Sequence, residues 1–289
     1  MKISVLGNEG SWYVDELSRA SVRRGHACQR VDFRTLTSSV DGTSTDISGD
    51  DHSLFETDAI IVRTMPPGSL EQVVYRMDVL LQLHQAGKTV LNHPRAIECA
   101  VDKFLTTSRL AAAQIPVPRT IVCETTDQAM GAFQTLGGDV VVKPIFGAEG
   151  RGIFRLSDPD LAFRSFRTLE RLNNVLYIQE FIHHEGYDVR VMMLNGQILG
   201  AMKRTNLSDF RTNIARNGSA ATHLVTDEEA HLALSAARTV HACFAGVDLL
   251  YDLAGRCYVI EVNAVPGWRA FAQATQIDVA DRVIEYLER

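Results

Sequence analysis

The sequence predicts an α/β domain followed by a mixed α+β region, and three observations carry that reading. Short apolar runs alternate with helix-period segments up to residue 94, the pattern of a parallel sheet covered on both faces. A proline-rich break, IPVPRT at 115–120, separates this from a stretch where strands lie close together in sequence, as antiparallel neighbours do. The chain has 289 residues, 46% hydrophobic and 22% charged, which suits a globular protein of two or three domains.

The elements follow in order. KISVL at 2–6 reads as a strand, then the loop GNEGS, a helix over 12–24 closed by Gly25, and a strand over 27–33. Residues 37–53 are polar and aperiodic and read as a loop. A strand at 58–63, a helix at 70–86 and a strand at 88–92 complete a Rossmann-like domain over 1–94. A helix carrying Asp102-Lys103, a strand, a helix over 126–136, strands at 139–143 and 152–156, a helix over 158–171 and a strand at 175–182 make a central unit, 95–182. The last unit, 183–289, has strands near 188–194 and 197–203, an irregular segment over 204–222 and a helix over 227–244. Strands at 246–252 and 256–263 and a final helix at 277–288 complete it.

Composition excludes several classes. The formal net charge of −6 provides no global field for nucleic acid or an anionic membrane. The five cysteines lack any C-x-x-C spacing, which argues against a zinc site and a disulfide framework and fits a reducing cytoplasm. No apolar run approaches the ~20 residues of a membrane span. A cytoplasmic protein is expected.

Three stretches carry chemistry. VVVKPIFGAEGRGI at 140–153 ends a strand with Lys143 and then spaces Gly147, Gly150 and Gly152 through a turn into a return strand. Such glycines let backbone N–H groups cradle oxygens, while Lys143 supplies a point charge. In YVIEVNAVPGW at 258–268, Glu261 and Asn263 share one strand face, and GVDLLYD places Asp248 on a neighbouring strand. These hard oxygen donors suit Mg²⁺ or Mn²⁺. Residues 188–213 concentrate Asp188, Arg190, Lys203, Arg204, Arg211 and Asn213, and arginines of this kind stabilise charge on a transferred phosphoryl group. Each stretch taken alone also reads as ordinary structure: a flexible hairpin, a half-exposed strand and a solvated basic face.

Taken together the motifs resemble the ATP-grasp enzymes. DKFLT at 102–106, IPVPRT at 115–120, VVKPIFGAEGRGI at 141–153, QEFI at 179–182 and EVN at 261–263 carry the resemblance. GYDVR at 186–190, MKR at 202–204 and RTN at 211–213 make the chain most similar to the RimK-type α-L-glutamate ligases. The resemblance implies an ATP-grasp fold over roughly 95–270, behind a pre-ATP-grasp domain. It implies that Lys103 and Lys143 contact ATP and that Gly147, Ala148, Glu149, Gly150 and Gly152 fold over the triphosphate. Gln179, Glu180, Phe181 and Ile182 would form the hinge at the adenine, with Asp188 near the ribose and Lys203 among the nucleotide contacts. Asp248, Glu261 and Asn263 would hold two Mg²⁺ ions, Glu261 bridging them. Arg190, Arg204, Arg211 and Asn213 would face the transferred phosphoryl and the acyl phosphate. The implied partners are a small-molecule or peptide carboxylate acceptor and an amino acid, L-glutamate by resemblance; no nucleic acid or membrane is implied, and a homo-oligomer stays open.

One segment departs from the ribosomal-protein ligases of this family. AVPGWRAF at 264–271 replaces small or polar residues and an acidic pair, and resembles ligases of tetrahydromethanopterin-type cofactors. A substrate stacked on Trp268 and paired with Arg269, or a core tryptophan beside a surface arginine, both fit. A nucleotide-binding regulatory module and a kinase of the same fold are the alternative functions. The full set of metal-ligand and arginine positions tells against the first, and the R-x-N pair at 211–213 against the second.

Overall fold

The computed structural model describes residues 1–147, 151–212 and 218–289. The chain begins with β1 (Lys2–Leu6), α1 (Trp12–Arg23) and β2 (Ala27–Val31). A small sheet of β3 (Thr37–Asp41), β4 (Ser44–Gly49) and β5 (His52–Ser53) follows, then β6 (Ala59–Val62), α2 (Leu70–Gln85) and β7 (Thr89–Leu91). β1, β2, β6 and β7 form a parallel sheet in the order β2-β1-β6-β7. Ile3, Val5, Leu6 and Ile60 through Val62 are buried in it, because a parallel sheet covered on both faces needs near-continuous apolar strands.

Residues 37–53 are a correction: they form an antiparallel hairpin with a third short strand, where the sequence reads as a loop. The hairpin turns at Gly42-Thr43, with Gly42 at φ 60°, and only Ile47 and Gly49 of β4 are buried. Nearly every side chain is in water, so the alternation that marks a strand is missing.

The next elements are α3 (Pro94–Val101), α4 (Lys103–Ala112), β8 (Thr120–Cys123), α5 (Thr126–Thr135), β9 (Val140–Lys143), β10 (Phe154–Leu156), α6 (Pro159–Arg171) and β11 (Leu176–Glu180). The one helix expected around 102 is two. Asp102 ends α3 and caps α4, its carboxylate accepting from the Leu105 N–H at 2.9 Å. The antiparallel order β10-β9-β11-β8 puts Val140 and Val142 into a core with Phe133, Phe166 and Ile178, and turns Val141 and Lys143 to the opposite face.

The last part contains β12 (Tyr187–Leu194), β13 (Gln197–Thr205), β14 (Ser219–His223), α7 (Asp227–Thr239), β15 (Phe244–Tyr251), β16 (Cys257–Asn263), α8 (Arg269–Thr275) and α9 (Val279–Leu287). Its antiparallel sheet runs β14-β13-β12-β15-β16. The segment read as irregular over 204–222 thus contributes the edge strand β14. The helix expected to 244 stops at Thr239, because His241 adopts φ 57° and Phe244 already belongs to β15. The sequence pattern does not mark the seven-residue α8.

One buried amide ties the first sheet to the last beside the apolar core they share. Asn92 is 1% exposed; its Oδ1 accepts from the Cys243 and Phe244 N–H groups, each at 2.8 Å, and its Nδ2 donates to the Phe244 and Ala264 carbonyls. Asn92→Ala leaves these backbone groups without partners, so it should destabilise the protein by roughly 3 kcal/mol or more in urea unfolding. A loss below about 1 kcal/mol would show that water replaces the amide at no penalty.

Candidate active site

The central and last sheets face each other across a cleft of about 930 Å³, measured with its open mouth. One wall comes from β9 and β11. Val141 and Lys143 share the cleft face of β9, and Gln179 does so on β11 as the cross-strand partner of Val141. Lys143 is 8% exposed and its ammonium donates to Gln179 Oε1 at 2.6 Å. The Gln179 amide donates in turn to Thr120 Oγ1 at 2.9 Å and Tyr177 Oη at 3.2 Å, which holds its oxygen toward the lysine. Burial lowers the Lys143 ammonium to about 8, while Glu261 across the cleft favours its charged form. Lys103, at the start of α4, donates to the Gly147 carbonyl at 2.8 Å; burial lowers it too, again opposed by Glu261. A desolvated pair of ammonium groups with amide and carbonyl partners is a site that gains from a bound anion.

The opposite wall carries a ladder of buried charge. Asp188 and Arg190 lie on one face of β12, Arg204 on β13 and Asp248 on β15. Arg190 grips Asp248 bidentately, Nε to Oδ1 at 2.6 Å and Nη2 to Oδ2 at 2.7 Å. Arg204 pairs with Asp188, Nε to Oδ1 at 2.7 Å, and also reaches Asp248 Oδ2 at 2.9 Å. Burial would raise the Asp248 carboxyl, but the two guanidinium groups outweigh it and hold it down at about 2. Glu261 sits directly opposite Asp248 in the β15–β16 pairing and has no hydrogen bond to any described residue. The register shifts between Asp248 and Leu249, so Ile260 is an unpaired extra residue, and Ile260 and Glu261 both line the cleft.

Lys103, Lys143, Gly147, Gln179, Glu180, Phe181, Ile182, Asp188, Arg211, Asp248 and Glu261 all line this one cleft. Gly147 and Gly152 have φ of 148° and 72°, backbone conformations that L side chains rarely adopt, so the turn favours glycine at both. Ala148, Glu149, Gly150 and Asn213 lie outside the described residues. Arg211 ties its loop to the glycine turn, Nη1 donating to the Ile153 carbonyl at 2.8 Å, and is held by Asp209. Arg190 and Arg204 stand behind the cleft surface, engaged with the aspartates. The Glu180 carboxylate accepts from the Arg119 N–H at 2.8 Å, and Arg155 covers the Phe181 ring at 3.6 Å. Lys203 lies apart: strand alternation turns it from Arg204 to the other face, where its ammonium sits 3.6 Å over the Tyr187 ring. Trp268 is 1% exposed within the core that joins the first and last sheets, so it packs there and offers no face to a substrate in the cleft. Asn263 shares the strand of Glu261, two residues on, opposite Gly246.

Sequence reasoning assigned no cleft role to Phe210, Thr212, His184 and Leu250, which are also part of the lining. Leu250 was available from the alternation that selects Asp248. The others sit in irregular backbone, where no period places a side chain.

With the geometry in place, comparison with known proteins decides the family. Residues 1–97 match the RimK PreATP-grasp domain and residues 100–287 the RimK-like ATP-grasp domain. The chain belongs to the RimK-like ATP-grasp family. A tetrahydromethanopterin:alpha-L-glutamate ligase from Methanosarcina acetivorans is 30% identical, covering 96% of this chain and 95% of the relative. A ribosomal protein bS6--L-glutamate ligase from Escherichia coli is 30% identical, covering 100% and 96%. Among solved structures, the ATP-grasp ligase PsnB complexed with a minimal precursor superposes with a TM-score of 0.79 at 22% identity, over 99% of this chain and 98% of that one. PsnB has also been solved with Mg and ADP, at a TM-score of 0.74 and 22% identity, covering 99% and 96%. These matches show the ATP-grasp fold behind a pre-ATP-grasp domain.

Because the folded-state value of Asp248 lies below the ordinary 3.8, its contribution to stability is complete above about pH 4 and is lost as pH falls toward about 2. Urea unfolding across this range should weaken more steeply for the wild type than for Asp248→Asn. That variant should already be destabilised by roughly 3–5 kcal/mol at neutral pH, because it leaves buried guanidinium charge uncompensated. Parallel pH profiles would contradict this electrostatic account.

Proposed function

We propose that the protein is an ATP-dependent carboxylate–amine ligase that joins L-glutamate to a carboxylate acceptor through an acyl phosphate. One observation carries the reading: Lys143 and Glu261 face a single cleft, with an underpartnered ammonium on one wall and an uncommitted carboxylate on the other. A polyanion neutralises the first, and a cation carried with it occupies the second. Family membership and the two glutamate-ligase relatives support the same conclusion.

The chemistry follows from the residues present. A carboxylate does not condense with an amine in water because oxide is a poor leaving group. An acceptor carboxylate oxygen attacks the γ-phosphorus of ATP, the bond to the β-bridging oxygen breaks, and ADP leaves. The glutamate amine then adds to the acyl carbon, loses a proton to solvent, and phosphate departs with the amide formed. Lys103 and Lys143 hold the phosphates in place, with the glycine turn 147–152 above them. Gln179 to Ile182 present hinge backbone toward the base. Arg211 supplies charge at the reacting end, while Arg190 and Arg204 keep Asp248 ionised and fixed.

The donor set fits magnesium: Glu261 is free, Asp248 stays ionised, and Asn263 adds an amide oxygen on the same strand. Magnesium held there, expected as two ions, supplies neutralisation of the transferred phosphoryl group.

Product analysis tests the proposal. ADP and phosphate should appear together only when ATP, glutamate and an acceptor are all supplied, with a pterin-linked carboxylate and a peptide C-terminus compared as acceptors. Lys143→Met and Glu261→Gln should each lower turnover by roughly 10²–10³-fold. ADP without phosphate would indicate a kinase, and no ADP with any pair would indicate a binding module.

A further inference from the structure

Away from the cleft, Arg63 and Arg76 are both buried without an acid among the described residues, and of the two only Arg63 also leaves a buried donor idle. Arg63 follows β6, is 6% exposed and forms no ion pair among the described residues. Its Nη2 donates to the Pro266 carbonyl at 2.8 Å, and its guanidinium lies 4.2 Å over the Trp268 ring and 4.8 Å over the Tyr13 ring. Its Nε is the single buried side-chain nitrogen or oxygen among the described residues with no hydrogen-bond partner. Burial lowers this arginine to about 9, an extreme displacement for a guanidinium. A side chain needed only to join the two domains would do so better as an apolar residue. An unpaired buried cation with an idle donor is costly unless an anion completes it.

Its position is that of a ligand site. β1 and β6 are adjacent parallel strands, and their connections leave toward opposite edges, to β2 and to β7. The crevice beyond their carboxyl ends is therefore the switch point where open α/β sheets bind ligands. The 7–11 loop enters it from β1 and Arg63 from β6. A Cβ on Gly7 would lie 2.8 Å from Val14 and 3.5 Å from the Arg63 Cβ, so this loop lies directly against the arginine. α1 starts there, and the side chain of its N-cap Ser11 makes no capping bond, which leaves the positive end of the helix available to an anion. The exposed Arg269 guanidinium lies 5.5 Å over the Trp12 ring at the same rim. The crevice also borders the catalytic ladder. A Cβ on Gly246 would meet Pro266 at 3.2 Å on one side and Arg190 Nε at 3.6 Å on the other.

We propose that Arg63, with Arg269 and the N-terminus of α1, binds a substrate carboxylate that is held for recognition and is not the one activated. That the ligand is a substrate rests on the ligase reading; the anion site itself follows from the buried guanidinium and its idle Nε. Both the incoming amino acid and the acceptor can carry such a group.

The chain's two tryptophans, Trp12 and Trp268, lie under these arginines, so intrinsic fluorescence reads this site without nucleotide. L-glutamate, N-acetyl-L-glutamate, which lacks the amine, and the uncharged dimethyl ester are titrated into the full chain. A saturable change with a free carboxylate and none with the diester is expected. Response to L-glutamate alone assigns the site to the amine substrate, response to N-acetyl-L-glutamate alone assigns it to the acceptor, and response to both shows recognition of the shared carboxylate. Arg63→Met should weaken binding by roughly tenfold or more. Should that variant fail to fold, Arg63→Lys and the exposed Arg269→Gln decide, with several-fold weakening expected in each. No change with either acid, an equal change with the diester, or wild-type affinity in every variant overturns the proposal. Carboxylate binding in a chain that never releases ADP would instead retire the ligase reading and leave this site standing.

Discussion

The buried charge ladder of Arg190, Asp248, Arg204 and Asp188 is the constraint on which the rest of the site depends. Four ionised groups with little access to water are tolerated only where their hydrogen bonds match, and the bidentate arginine forks supply that match. The match requires β12, β13 and β15 to keep one register, since a one-residue slip would send every charge to the opposite, apolar face. With Asp248 committed to the arginines, its cross-strand neighbour Glu261 is left as an uncommitted acid at the mouth of the cleft. The ladder is close to neutral in itself, so the field that a ligand meets is set by Glu261 on one side and by Lys103 and Lys143 on the other.

That division explains why the two walls come from different sheets. A lysine and a carboxylate on one sheet would pair and neutralise each other. Placed on opposing sheets, they bracket the cleft between them, and Glu261 still favours the charged form of both lysines. The first sheet adds a third surface. Asn92 and the Trp268 core fix it against the last sheet, and this brings the crevice beside Arg63 within one glycine of Arg190. The cleft and the crevice then meet at the ladder, a layout that suits the proposed joining of two substrates.

Much of this was legible in the sequence because the relevant residues obey simple periods. Lys143 ends a strand whose alternate residues are core, and Asp248 and Glu261 were placed together by the face rule and strand adjacency. The parallel domain showed in its continuous apolar strands. Elements without a buried face were hidden: the 37–53 hairpin and β14 keep most of their side chains in water and so carry no alternation. The break between α3 and α4 depends on one cap, Asp102, and the extra residue at Ile260 has no composition signal. Lys203 and Arg204 are neighbours in one motif, yet the strand sends them to opposite faces, which a motif match does not register. Arg63 is unremarkable in sequence, and only its burial with an unpartnered Nε makes it conspicuous.

The most direct measurement is a crystal structure with a non-hydrolysable ATP analogue and magnesium. The account predicts a triphosphate lying between Lys143 and Glu261, with the metal on the Glu261 side. A nucleotide bound elsewhere, or one contacting only one of these two side chains, would contradict it.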